Sequence, residues 1–171
     1  EESLYALSPA DIVEARAFAA VGGKREIARV ALSALNAAAP TPQEVVALPT
    51  GAPYGRLAVD TDNCTLCLSC VGACPPGALT ADADHPRLLF TEQACVQCGL
   101  CVTTCPEKVI RLEPRFDFTK AVLEPTVIKE EEPFNCISCG KPFGTKSSIE
   151  RIVAKLEGRH SMFQGKAQTD L

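Results

Sequence analysis

The chain has no tryptophan, and only two tyrosines and seven phenylalanines among its 171 residues, too few large side chains for a thick apolar core. It also has no stretch of 18 apolar residues and no short apolar segment behind a basic leader. A membrane-spanning or secreted reading therefore finds no support. Lysines and arginines are scattered, never five in a row, and the net charge is −4, so nucleic acid is not an expected partner. A glycine-rich phosphate loop and a nucleophile motif are both missing. The first residues are Glu1 and Glu2, without a methionine, so the chain reads as a piece of something longer. For this piece the expected location is the cytoplasm.

What the chain does have is 13 prolines and 11 glycines, which break up long elements, and ten cysteines. Small loop-rich domains with little core commonly rely on metal or disulfide crosslinks. The cysteines are thus expected to hold the centre together.

Residues 8–39 read as two helices. Ser8 caps the first, with Pro9 at its first position and Gly22 and Gly23 at its end; the second runs from Lys24 to Ala38 with Ile27, Val30, Ala31, Leu35 and Ala38 on one face. Residues 40–55, with four prolines and two glycines, read as an extended linker. The stretch 56–113 then repeats itself. The offsets 95 − 64, 98 − 67, 101 − 70 and 105 − 74 are all 31, and the flanks follow, so each half reads as strand, cysteine loop, short helix, strand. Residues 114–171 read as a linker, a C-x2-C knuckle at Cys136 and Cys139, and a helix through Ile149, Ile152, Val153 and Leu156. Ser147 and Glu150 are its expected capping box and Gly158 its stop. Glu130, Glu131 and Glu132 read as a solvated linker, with electrostatic steering of a partner as the alternative.

Cys64, Cys67, Cys70 and Cys74 followed by Pro75 spell C-x2-C-x2-C-x3-C-P, and Cys95, Cys98, Cys101 and Cys105 followed by Pro106 spell it again. Three thiolates two residues apart can wrap one tight loop around three irons of a cubane. Zinc would favour two C-x2-C pairs set farther apart, and disulfides would need an oxidising compartment. Neither alternative explains the third cysteine of each triplet.

Over residues 56–113 the chain resembles the bacterial-type dicluster ferredoxins. The resemblance implies an α+β class and a ferredoxin-like pseudo-twofold β-α-β core, here with a helical pair before it and the knuckle and helix after it. It also implies two [4Fe–4S] clusters with crossed ligation: Cys64, Cys67, Cys70 and Cys105 on one, Cys95, Cys98, Cys101 and Cys74 on the other. The short spacing from Cys74 to Cys95 implies the compact form. Gly72, Ala73, Gly77 and Gly99 are expected either to let the backbone approach the clusters or simply to make turns. His85 reads as a solvated turn residue.

Cys136 and Cys139 look like half of a zinc site, to be completed by His160 or by groups beyond Leu171; a redox-active pair and two free thiols are the competing readings. Residues 49–55, the repeated core and residues 136–144 together are similar to the C-terminal part of larger cytosolic iron–sulfur proteins encoded beside bacterial formate dehydrogenases. That resemblance implies a formate dehydrogenase as redox partner, and a further C-x2-C after the final helix that is missing here.

The expected function is a relay of single electrons through the two clusters, as a module of a larger redox assembly, rather than catalysis by this chain itself. The alternatives are an assembly or maturation factor with structural clusters and an auxiliary domain of an enzyme.

Overall fold

The computed structural model describes residues 17, 19 and 21–156. The chain divides into two units, Glu1–Val46 and Ala47–Leu171. In the first, the expected second helix forms over its expected span, α1 (Lys24–Ala38). Gly23 occupies the cap position, and the Glu26 carboxylate accepts its N–H, which satisfies a donor that the first turn leaves open. Beyond its end, Asn36 holds the chain by exchanging two hydrogen bonds with the Gln43 backbone, at 2.8 and 3.0 Å. No residue of α1 is buried; Val30 and Leu35, on its expected apolar face, are exposed. The helix expected from Ser8 to Gly22 falls almost wholly outside the described residues.

After a short strand at the boundary, β1 (Val45–Ala47), the second unit begins with β2 (Gly55–Val59). A first cysteine loop leads to α2 (Ser69–Gly72) and β3 (Leu79–Ala81). After a turn, β4 (Arg87–Phe90) leads through a second cysteine loop to α3 (Leu100–Thr104) and β5 (Ile110–Asp117). These are the elements that the repeat predicts, in the predicted order. β2 lies antiparallel to β5, with Leu57 opposite Leu112 and Val59 opposite Ile110. β3 lies antiparallel to β4, with Leu79 opposite Phe90 and Ala81 opposite Leu88. The result is an α+β, ferredoxin-like arrangement of small antiparallel sheets and short helices. Its core is Leu66, Ala78, Leu79, Leu88, Phe90, Val109 and Ile110, together with Cys70, Cys95 and Cys101.

Gly55 is where β2 can start so close to its neighbours. A side chain there would press into the Glu113 carbonyl oxygen and the carboxamide of Gln97. β5 runs past the expected boundary at 113, because Phe116 is buried and stacks edge-on against Tyr54 at 5.0 Å. Arg115 extends this edge by pairing with both Glu92 and Asp117, at 2.6 and 3.1 Å.

The region 114–135 departs from the linker reading. β6 (Thr126–Glu130) pairs with β4 and makes the second sheet three-stranded, with a bulge that turns Ile128 against the core. Nor is the acidic run a solvated linker. Glu130 pairs with Arg87 at 2.8 Å, and Glu131 pairs with Lys129 at 2.7 Å and accepts from the Ser147 hydroxyl, while Glu132 is exposed.

The hairpin of β7 (Pro133–Asn135) and β8 (Pro142–Thr145) then carries the knuckle at its tip, and α4 (Lys146–Leu156) follows. Its cap differs from the expected Ser147 and Glu150 box. Thr145 Oγ1 accepts the Ser148 N–H at 3.3 Å, and the Glu131 carboxylate takes the Ser147 N–H at 3.3 Å, placing negative charge where the helix dipole favours it. Glu107 binds the far end of α4 through Arg151 and Lys155, at 2.6 and 3.5 Å. That Arg151 hydrogen bond holds the Glu107 carboxyl below its ordinary pKa. The expected stop at Gly158 lies outside the described residues.

Candidate metal centre

Each cysteine loop is delivered by local backbone chemistry. At the end of β2, Asp60 accepts the N–H groups of Asp62 and Asn63 at 3.2 and 3.3 Å, a turn that aims the chain into Cys64. Inside the loop, Leu66 and Leu68 take left-handed conformations, with φ of 50° and 58°. Their counterparts 31 residues on, Gln97 and Gly99, do the same at 55° and 79°. Gly77 and Lys108 form a third such pair at 66° and 56°. For a non-glycine residue this conformation costs about 1–2 kcal/mol, so three of the four non-glycine cases are strained within or just before a cysteine triplet. The strain turns N–H groups toward sulfur: that of Leu66 toward Cys64, that of Ser69 toward Cys67 and that of Gln97 toward Cys95. Gly77 and Gly99 are thus explained by backbone conformation, while Gly72 shows neither a positive φ nor a close neighbour.

α2 and α3 are one turn each and hold Cys70 and Cys101 in buried positions. Cys74 and Cys105 come just after them, and Pro75 and Pro106 bar the helices from continuing. The consequence is a crossing of the two halves. One cavity is lined by Cys64, Cys67, Cys70 and, from the other half, Cys105; a second is lined by Cys95, Cys98, Cys101 and, again from the other half, Cys74. The two are alike in size, and their remaining walls are largely apolar. Cys67 and Cys98 are the exposed member of each set.

Burial, reinforced by the neighbouring thiols, pushes Cys70 and Cys101 up to about 11, and burial also raises Cys64 and Cys95. Burial raises Cys67 too, but the hydroxyl and N–H of Ser69 outweigh it and leave that thiol below its ordinary value. Four thiols crowded into one apolar cavity favour the thiolate form only when cationic charge sits among them, so the donor set suits a bound metal. Among the described residues no three cysteine, histidine or acidic side chains converge on a single ion position. Three cysteines two residues apart with a fourth from the other half fit a multi-iron cluster better than one tetrahedral zinc.

Cys136 and Cys139 stand apart. The Cys136 N–H donates to the Lys141 carbonyl and the Gly140 N–H to the Cys136 carbonyl, both at 2.9 Å, closing a tight knuckle. The N–H groups of Cys139 and Ser138 point at the Cys136 sulfur and lower its pKa. No third ligand joins them among the described residues, and His160 lies outside those residues. His85 sits exposed in its turn, whose backbone is held by Asp82.

Three side chains near sulfur were not singled out by the sequence reading. Ser69 Oγ lies 3.5 Å from Cys67 Sγ, and Gln97 Nε2 lies 3.5 Å from Cys95 Sγ. Lys129 Nζ donates to the carbonyls of Cys64 and of Thr61, the latter at 2.7 Å. Gln97 carried a visible signal, as a polar residue where the repeat has Leu66; Lys129 carried none, because it acts from β6.

Residues 63–110 match the model of a 4Fe-4S dicluster domain family, and residues 94–142 match a second model of the same description. The second match spans Cys136 and Cys139 as well as the later cysteine loop. No curated protein matches the chain. The repeated motif, the two four-cysteine cavities and these matches agree: the chain carries a 2[4Fe–4S] ferredoxin-type domain, with iron–sulfur clusters as its cofactors.

Proposed function

We propose that the chain relays single electrons through two [4Fe–4S] clusters, one held by Cys64, Cys67, Cys70 and Cys105 and the other by Cys95, Cys98, Cys101 and Cys74. The observation that carries the reading is the pair of cavities, each drawing three cysteines from one half and the fourth from the other. When bound, each cluster can take up and give back one electron. The apolar walls keep water from the inner sulfurs, while Cys67 and Cys98 bring one edge of each site to the surface, where a partner can approach.

The strand register supports a pseudo-twofold arrangement of the two sites. Adding 31 to Leu57 and subtracting 31 from its partner Leu112 gives Leu88 and Ala81; the same operation on Val59 and Ile110 gives Phe90 and Leu79. Both derived pairs are strand partners in β3 and β4. The walls transform likewise, Val59 with Phe90, Leu88 with Leu57, Val109 with Ala78 and Ile110 with Leu79. Near-equivalent sites suit reversible exchange between like centres.

On this reading the chain is a module of a larger redox assembly in the cytoplasm, where free thiols persist. No helix among the described residues is long and apolar enough to cross a membrane. A formate dehydrogenase is the partner suggested by the sequence resemblance of residues 49–55, the repeated core and residues 136–144, whereas zinc at Cys136 and Cys139 is suggested by their C-x2-C spacing alone.

Anaerobic reductive titration of the reconstituted chain, followed by stopped-flow mixing with an oxidised acceptor, is expected to show uptake of about two electrons per chain in one-electron steps, and their release. The chain alone should not oxidise formate. Clusters that stay oxidised with every low-potential donor would contradict a relay and leave a structural role in assembly or maturation.

A further inference from the structure

We propose that Gln97 sets the reduction potential of the cluster held by Cys74, Cys95, Cys98 and Cys101 apart from that of its twin, by hydrogen bonding to the Cys95 sulfur. The inference rests on the ligand assignment above. Cysteines aside, Gln97 is the sole polar side chain among the described residues in the wall of that cavity. Its Nε2 lies 3.5 Å from Cys95 Sγ and 3.1 Å from the Arg56 carbonyl oxygen. A carbonyl can only accept, so it is the amide nitrogen, not the amide oxygen, that faces both atoms. Gly55 makes room for this placement, since a side chain there would come within 2.8 Å of the carboxamide. The amide oxygen, meanwhile, is buried without a hydrogen-bond partner, a penalty that an apolar residue would avoid.

The comparison with the other half shows that the loop itself does not need an amide. The counterpart at 97 − 31 is Leu66, which lines the first cavity, has nearly the same φ and is buried. The same backbone is therefore built with leucine at one site and with a hydrogen-bond donor at the other. A donor to a ligating sulfur stabilises the more negative, reduced state and so raises the potential of that centre. Gln97 acts through Cys95 and is a positioning residue. The first cavity has different polar neighbours, Ser69 at Cys67 and Lys129 at the Cys64 carbonyl, so the two sites are electrically unlike despite their matching frames.

The test is a potentiometric titration, read by electron paramagnetic resonance, of the full reconstituted chain and of its Gln97→Leu and Gln97→Met variants. Leucine reproduces the Leu66 wall, and methionine keeps the length of glutamine without a donor. One of the two midpoints should fall, so that at its wild-type value the ratio of reduced to oxidised cluster drops by about three- to tenfold, the scale of one ordinary hydrogen bond. The other midpoint should stay in place, and the moved signal should be the one lost in Cys95→Ser. Unchanged midpoints in either folded variant would overturn the proposal and reduce Gln97 to a tie on the Arg56 backbone. Failure of the underlying reading looks different: the unsubstituted chain would then show fewer than two titrating clusters.

Discussion

Removing iron from the folded chain is expected to abolish amide protection across residues 56–113, including Leu57, Val59, Leu79, Phe90 and Ile110. Three of the ten residues in the main buried cluster are cysteines, and burial pushes two of them, Cys70 and Cys101, up to about 11. The elements between them are small: α2 and α3 have four and five residues, and β3 has three. None would persist alone. Structural zinc in small peptide domains supplies about 10–16 kcal/mol, comparable with the whole stability of about 5–15 kcal/mol usual for a domain, and thiolate-held clusters crosslink the chain in the same way. Loss of the clusters thus removes more than the remaining apolar contacts can supply. The measurement is hydrogen exchange on iron-free protein kept under thiol reductant, so that disulfides cannot substitute for metal. Protection that survives iron removal at these residues would mean that the apolar core suffices by itself.

Serine in place of Cys74 is expected to eliminate the cluster signal that Cys95→Ser eliminates, although Cys74 follows Cys70 in the chain. Cys105→Ser should behave like Cys64→Ser in the same way. The four variants should therefore sort by cavity, not by neighbourhood in sequence, each keeping about half of the iron, or about four atoms, from the surviving cubane. The argument is the crossing itself: Cys74 lines the cavity of the second triplet and Cys105 that of the first. Iron content and paramagnetic resonance of the reduced variants decide it. A Cys74→Ser chain that loses the signal of the Cys64 site would show that each half ligates its own cluster.

The cysteine repeat made the centre of this fold legible from sequence, because its 31-residue offset fixes both loops, both short helices and the order of the four strands. α1 was equally clear, bounded by Gly23 and Pro40. What sequence did not convey depends on long-range pairing. β6 is five residues with weak alternation, and its strand character comes from β4, some forty residues earlier. Once β6 is in place, Lys129 reaches the first cysteine loop and Glu131 the start of α4, which is why an acidic run that reads as solvated is largely engaged. The cap of α4 moved for a similar reason. Thr145 and Ser147 both suit the role, but the Ser147 hydroxyl is taken by Glu131, which leaves Thr145 to meet the Ser148 N–H. Gln97 is the intermediate case, visible as a break in the repeat but given meaning only by its distance to Cys95.

The most direct test of two cubanes in this chain is a count of iron and inorganic sulfide per chain after anaerobic reconstitution, with Mössbauer spectroscopy to identify the cluster type. The account predicts about eight irons and about eight sulfides, all in [4Fe–4S] environments. About four irons or fewer, or zinc in the two cavities without sulfide, would contradict it.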